Sequence, residues 1–162
     1  MKKYILASAS PRRKELLTIM GLDFEVMPSD ADESTVSPDG VPVNVYVQEL
    51  ALLKAGDIAK KTGRDKSKII ISADTVVYAG GKICGKPKDE EDAKKMLSDL
   101  SAKAHSVFTG VCVMRPSDGF SVCSAVETKV YFKPLSKERI ERGADGQGRC
   151  VRYSGQGCDA GG

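Results

Sequence analysis

The 162-residue chain has no tryptophan, one histidine and few aromatic residues, 6 % in all. Each scarcity excludes something. With His105 alone, a multi-histidine metal centre is ruled out, and any histidine-based triad would have to use that one imidazole. Cys84, Cys112, Cys123, Cys150 and Cys158 form no C-x-x-C pair and are odd in number, which argues for reduced thiols over a disulfide framework or a zinc site. Cys112 and Cys123 flank a predicted hairpin and could be neighbours; both are read as buried small hydrophobes. No apolar run is long enough for a signal h-region or a membrane span, so the expectation is a cytoplasmic protein with no membrane partner. A net charge of +3 with so few aromatics argues against a nucleic-acid partner.

Short apolar runs alternate with helical periods, which predicts an α/β fold. Strands are expected over residues 4–8, 24–27, 68–79, 105–114 and 122–132, with a Gly80-Gly81 hairpin into Lys82-Ile83-Cys84. Helices are expected over 11–20 with Gly21 as its stop, over 43–61, over 89–100 with its acidic residues at the positive end, and from Lys137 behind a Ser136 cap. Residues 1–142 read as one domain. Residues 143–162 hold seven of the 16 glycines and show no period, so they read as an aberrant, disordered tail.

The most informative stretch is Leu6-Ala7-Ser8-Ala9-Ser10-Pro11-Arg12-Arg13-Lys14. Ser10 is a good N-cap and Pro11 suits the first helical position. Arg12, Arg13 and Lys14 then crowd the positive end of the helix dipole, where cations are disfavoured. Either they form a solvated cluster or they meet an anion such as phosphate. Two further charges sit in apolar settings. Lys54 lies within the stripe Val47, Leu50, Ala51, Ala55, Ile58, where it either snorkels to an edge or pairs with an anion. Asp74 interrupts the buried-type strand Ile69-Ile70-Ile71-Ser72-Ala73-Asp74-Thr75-Val76-Val77, where it either accepts backbone N–H bonds or belongs to a ligand site at a strand end. With Lys86 in Gly85-Lys86-Pro87 and Glu33 in the acidic loop, the set suits a polyphosphate and a divalent cation.

These blocks, with Asp32-Glu33, Glu49 to Ala55, His105 to Val111, Glu127 to Phe132 and Leu135-Ser136, resemble in kind and order the Maf family of nucleoside triphosphate pyrophosphatases. The resemblance implies a mixed, elongated sheet with flanking helices around a cleft, similar to the inosine triphosphate pyrophosphatase fold. It implies hydrolysis of a nucleoside triphosphate to the monophosphate and pyrophosphate. Pro11-Arg12-Arg13 and Ala73-Asp74-Thr75 match the subgroup acting on dTTP, UTP and modified pyrimidine nucleotides, not the 7-methyl-GTP subgroup. The expected catalytic set is Glu33, Lys54, Asp74 and Lys86. The expected substrate contacts are Ser8, Ser10, Arg12, Arg13 and Thr75, and the expected ligands of a Mg²⁺ or Mn²⁺ ion are Glu33 and Asp74. Water, oriented by Asp74 as base or as metal ligand, would attack the α-phosphorus in line. A homodimer is compatible with the sequence. The alternative function is a non-enzymatic, nucleotide-binding regulator of septum formation and cell division.

The family's later Gly-Ala-Tyr-Gly-Ile-Gln-Gly segment is missing here. Written in codons with suitable wobble bases and read one base later, residues 143–161 give Glu-Pro-Met-Asp-Lys-Ala-Gly-Ala-Tyr-Gly-Ile-Gln-Gly-Lys-Gly-Ala-Met-Leu. The expectation is a frameshifted tail and a truncated chain whose folding and activity are impaired.

Overall fold

The computed structural model describes residues 3–63, 65–85 and 87–144. The elements are β1 Tyr4–Leu6, α1 Pro11–Ile19, β2 Phe24–Val26, a 3-10 turn Glu33–Thr35, α2 Val43–Thr62, β3 Ile69–Ala79, β4 Lys82–Cys84, α3 Glu90–Leu100, β5 Ala104–Met114, β6 Ser121–Tyr131 and α4 Lys137–Ala144. Every expected strand and helix forms, with ends shifted by one or two residues. The expected α/β architecture is a six-stranded mixed sheet with strand order β2-β1-β3-β5-β6, and β4 pairs with β3. The last helix runs two residues past the expected domain boundary at 142, and Ala144 is buried. The remainder of the expected tail, from residue 145, lies outside the described residues, as does Lys86.

β1 pairs with β2 and β3 in parallel, so each connection is a crossover carrying a helix. The first crossover runs outward from β1 to β2; the second returns from β2 past β1 to β3. Right-handed crossovers in opposite directions put α1 and α2 on opposite faces of the sheet. The face under α2 is the core. Ile5, Ala7, Ile70, Cys112 and Met114 of the strands pack with Ala51, Ala55 and Ile58 of the helix, all nearly or fully buried. At roughly 25 cal/mol per Å² of apolar area, this two-layer contact is the largest stabilising term in the fold.

β3 organises the sheet. One of its edges pairs with β5 continuously from Ile70 to Tyr78. The other edge is split. β1 pairs with Ile69–Ile71, the Ala7 N–H extends that ladder to the Ile71 carbonyl at 2.8 Å, and β4 pairs only with Val77–Ala79. Among the described residues, Ser72 to Val76 therefore have no strand beside them on this edge. The notch opens where β1 leaves the sheet towards α1, the kind of place where open α/β sheets take ligands.

Gly110 sets how close α2 lies to the sheet. It stands opposite Asp74 in the β3–β5 ladder. A methyl group on its Cα would fall 2.2 Å from the Val47 carbonyl oxygen of α2 and 2.9 Å from the Gln48 nitrogen. Backbone cannot yield as a side chain can, so a larger residue must lift the helix. Gly110→Ala is therefore expected to cost about 3 kcal/mol. Urea unfolding of the two proteins measures it, and a loss below about 0.5 kcal/mol, the scale of ordinary surface changes, would contradict the close-approach role.

Candidate active site

Two residues beyond β1 lies Ser8, which is buried. Its Oγ accepts two hydrogen bonds, from the Ser10 N–H at 3.2 Å and from Arg13 Nη1 at 3.0 Å. Ser10 is the N-cap and Pro11 opens the helix, as expected, but the capping bond itself is absent. The Ser10 side chain makes no capping bond; its carbonyl accepts the Lys14 N–H at 3.2 Å, and its own amide is taken by Ser8. Ser8 thus ties the residue that begins α1 to the end of the sheet, while the first-turn amides stay uncapped. The amides of Arg12 and Arg13 and the Arg12 guanidinium find no acceptor among the described residues. No acidic residue sits in this first turn. The free first-turn amides and the helix dipole thus leave unoffset positive charge at the start of α1.

Arg13 does not point to solvent. Beyond Ser8, its Nη2 donates to Thr75 Oγ1 at 3.3 Å, and Thr75 Oγ1 lies 3.1 Å from Thr109 Oγ1 on β5. Burial pulls the Arg13 pKa below its ordinary value, while Asp74 and Glu33 raise it. An arginine stays protonated through such a shift, so Arg13 is a fixed positive charge at the notch.

The other half of the site comes over the opposite face of β3. Side chains alternate across a strand, so Ile70, Ser72 and Asp74 face α2 while Thr75 faces away. The Ser72 Oγ donates to the Ala51 carbonyl at 2.6 Å, tying strand to helix. One turn further along α2, Lys54 Nζ bonds Asp74 Oδ1 and lies 3.0 Å from Glu33 Oε1. The Lys54 and Asp74 side chains are only 14 % and 12 % exposed, Glu33 is 43 % exposed. Lys54 therefore meets an anion within its apolar stripe, and the anion is the protein's own. Asp74 is held by a cation, not by backbone N–H groups.

Glu33 reaches Lys54 because its loop is anchored at both ends. Asp32 caps the 3-10 turn through the Ser34 N–H at 3.0 Å and hydroxyl at 2.7 Å, and these bonds lower the Asp32 pKa. Upstream, Asp57 of α2 accepts from the Ser29 hydroxyl at 2.8 Å and the Asp30 N–H at 3.0 Å. Lys61 bridges Asp30 and Asp57. The acidic loop is therefore fastened to the helix that carries Lys54.

Of the expected set, the structure links Ser8, Arg13 and Thr75 on one side and Glu33, Lys54 and Asp74 on the other, with Arg13 close enough to feel Asp74 and Glu33; Ser10 contributes only its backbone, the Arg12 side chain is exposed and joins neither group, and Lys86 lies outside the described residues. Three contributors were missed. Thr109 holds Thr75, and Gly110 admits α2; both emerge only from the β3–β5 register. Tyr46, two turns before Lys54 on α2, has its pKa raised by burial first and then by Asp74 and Glu33. His105 is remote from the notch, at the start of β5, where it stacks edge-on against Phe132 with centroids 4.7 Å apart. Burial lowers its pKa. No group of three or more His, Cys, Asp or Glu residues is placed to hold a metal among the described residues. Glu33 and Asp74 are nonetheless hard oxygen donors of the number that Mg²⁺ uses when phosphate oxygens supply the rest, so the donor set fits.

The arrangement suits a phosphorylated ligand with a carboxylate at its reacting end. The model of Maf-like proteins matches residues 3–156. The chain belongs to the Maf family. It is 44 % identical over 143 residues to the dTTP/UTP pyrophosphatase of Caldicellulosiruptor saccharolyticus, covering 88 % of this chain and 71 % of that one. It is 46 % identical over 140 residues to the dTTP/UTP pyrophosphatase of Clostridium novyi, covering 86 % and 72 %. Among solved structures, the Staphylococcus aureus Ham1 protein superimposes with a TM-score of 0.53 at 17 % identity, over 85 % of this chain and 88 % of that chain. That likeness speaks for the fold, which in this Maf chain is the Maf/Ham type of mixed sheet.

The Lys54–Asp74 pair is expected to be coupled more strongly than a surface pair. A Lys54→Met, Asp74→Asn double-mutant cycle in urea should give about 2 kcal/mol, above the ~1 kcal/mol limit of exposed pairs. Additive single mutants would contradict the geometry.

Proposed function

We propose that this Maf chain is a nucleoside triphosphate pyrophosphatase that hydrolyses dTTP, UTP and modified pyrimidine triphosphates to the monophosphate and pyrophosphate. The observation that carries this reading is Asp74 at the unpaired edge of β3. It is held by Lys54 on one face, with Arg13 fixed on the other and the open end of α1 in front. The names of the curated relatives support the reaction, and Pro11-Arg12-Arg13 with Ala73-Asp74-Thr75 support the pyrimidine subgroup.

In this mechanism the amides of Arg12 and Arg13 and the Arg12 guanidinium bind phosphate oxygens at the mouth of the notch, where the helix dipole favours negative charge. Arg13 is pre-positioned by Ser8 and Thr75, so little ordering accompanies binding. Lys54 holds the Asp74 carboxylate in place, and Asp74 orients the attacking water and takes its proton. Arg13 and Lys54 stabilise the charge that develops on the phosphoryl oxygens and on the departing pyrophosphate. A Mg²⁺ or Mn²⁺ ion held by Glu33 and Asp74 would neutralise phosphate charge and polarise the phosphoryl group.

The test is direct. Asp74→Asn keeps the side-chain volume and removes the base. Turnover of dTTP is expected to fall about 10³-fold, while nucleotide binding by calorimetry changes little. Wild-type-like rates would overturn the role of Asp74. In the wild type, pyrophosphate release from dTTP and UTP should exceed release from 7-methyl-GTP.

A further inference from the structure

Two of the chain's cysteines are brought face to face by the sheet. Cys112 on β5 and Cys123 on β6 are direct partners in the antiparallel register. Two backbone bonds bracket this ladder: the Arg115 N–H to the Phe120 carbonyl at 2.8 Å, and the Phe132 N–H to the Lys103 carbonyl at 3.1 Å. Hydrogen-bonded pairs alternate along an antiparallel ladder, so the odd residues of β5 and the even residues of β6 form them. Cys112 and Cys123 therefore occupy a non-hydrogen-bonded pair, the closer kind. Cα atoms in such pairs are about 4.5 Å apart, inside the roughly 4.4–6.8 Å range that a disulfide spans.

The surroundings complete the picture. Both side chains project to the α2 face, where Cys112 is fully buried and Cys123 packs half-exposed against the same core cluster. Burial, with Cys123 beside it, pushes the Cys112 thiol up to about 12. Cys84 belongs to β4 on the opposite side of β3. Neither Cys112 nor Cys123 takes part in the proposed chemistry at the notch.

We propose that Cys112 and Cys123 form a reversible cross-strand disulfide, so that the β5–β6 ladder is a thiol–disulfide modification site whose oxidant is a low-molecular-weight disulfide. The order of events follows from exposure. The Cys123 thiolate attacks one sulfur of the small disulfide, that S–S bond breaks, and a small thiolate leaves and takes up a proton. Cys112, shielded from solvent, then gives up its proton and attacks the Cys123 sulfur of the mixed disulfide, releasing the second small thiol. Two protein thiols are oxidised and one small disulfide is reduced to two thiols. The high Cys112 pKa makes the second step the slower one and keeps Cys112 unreactive until Cys123 has been modified.

The experiment uses the full chain, reduced and then exposed to glutathione disulfide in native buffer, with intact-mass measurement and non-reducing peptide mapping. The expected result is a mass loss of about 2 Da, a single linkage between the Cys112 and Cys123 peptides, and full reversal by dithiothreitol. Cys112→Ala should accumulate glutathione on Cys123, and Cys123→Ala should leave Cys112 unmodified. Circular dichroism before and after oxidation checks that the chain stays folded. A wild type that stops at the Cys123 mixed disulfide would overturn the proposal. So would a Cys112–Cys123 linkage that appears only in urea.

Discussion

Lys54 is the residue on which the site depends. Its ammonium joins Asp74 of β3 and Glu33 of the acidic loop, and it does so from within an apolar helix face. A buried charge without partners costs several kcal/mol, and so does a buried carboxylate. Lys54 and Asp74 are each tolerable there because the other is present, and the more exposed Glu33 adds a second anion to Lys54. The consequence is geometric as well as energetic. Helix α2, strand β3 and the 30–35 loop cannot move independently without separating opposite charges in a poorly hydrated place. Ser72 on the Ala51 carbonyl, Asp57 on the Ser29 hydroxyl and Asp30 amide, and the absence of a side chain at Gly110 all serve the same alignment.

The sheet supplies the opening that this alignment needs. A strand paired on both edges has no room for a ligand. Among the described residues, β3 is paired on one edge from Ile70 to Tyr78 and on the other only at its two ends. Asp74 sits in the middle of the interval, and the alternation of a strand gives adjacent residues to opposite faces. Asp74 therefore belongs to the Lys54 side and Thr75 to the Arg13 side. A ligand entering at the start of α1 meets cations from both faces around one carboxylate. The two-sided arrangement explains why basic residues are tolerated in the first turn of α1, where no acidic side chain offsets them.

Much of this was legible in the sequence, because the relevant residues violate local expectation. Lys54 breaks an apolar stripe, Asp74 breaks an apolar strand, and the arginines sit at the wrong end of a helix. Such conflicts between local rules and placement point to a site. The ordered Maf blocks then fixed the mixed-sheet fold. What was not legible depended on partners distant in the chain. Nothing near Thr109 or Gly110 reveals that they face Thr75 and Asp74; only the strand register does. Ser10 takes the N-cap position, but its side chain makes no capping bond, and the bond from its amide to Ser8 is one that local propensity does not reveal. The open choice for Lys54 between solvent and an anion required the path of the acidic loop, which Asp57 fixes through contacts across 27 and 28 residues.

The central claim is that the notch directs water to the α-phosphorus of a nucleoside triphosphate. Turnover of dTTP in ¹⁸O-labelled water, with mass analysis of both products, tests it most directly. Label appearing in the monophosphate, with unlabelled pyrophosphate, is the predicted result. Label in pyrophosphate, or release of orthophosphate in its place, would contradict it.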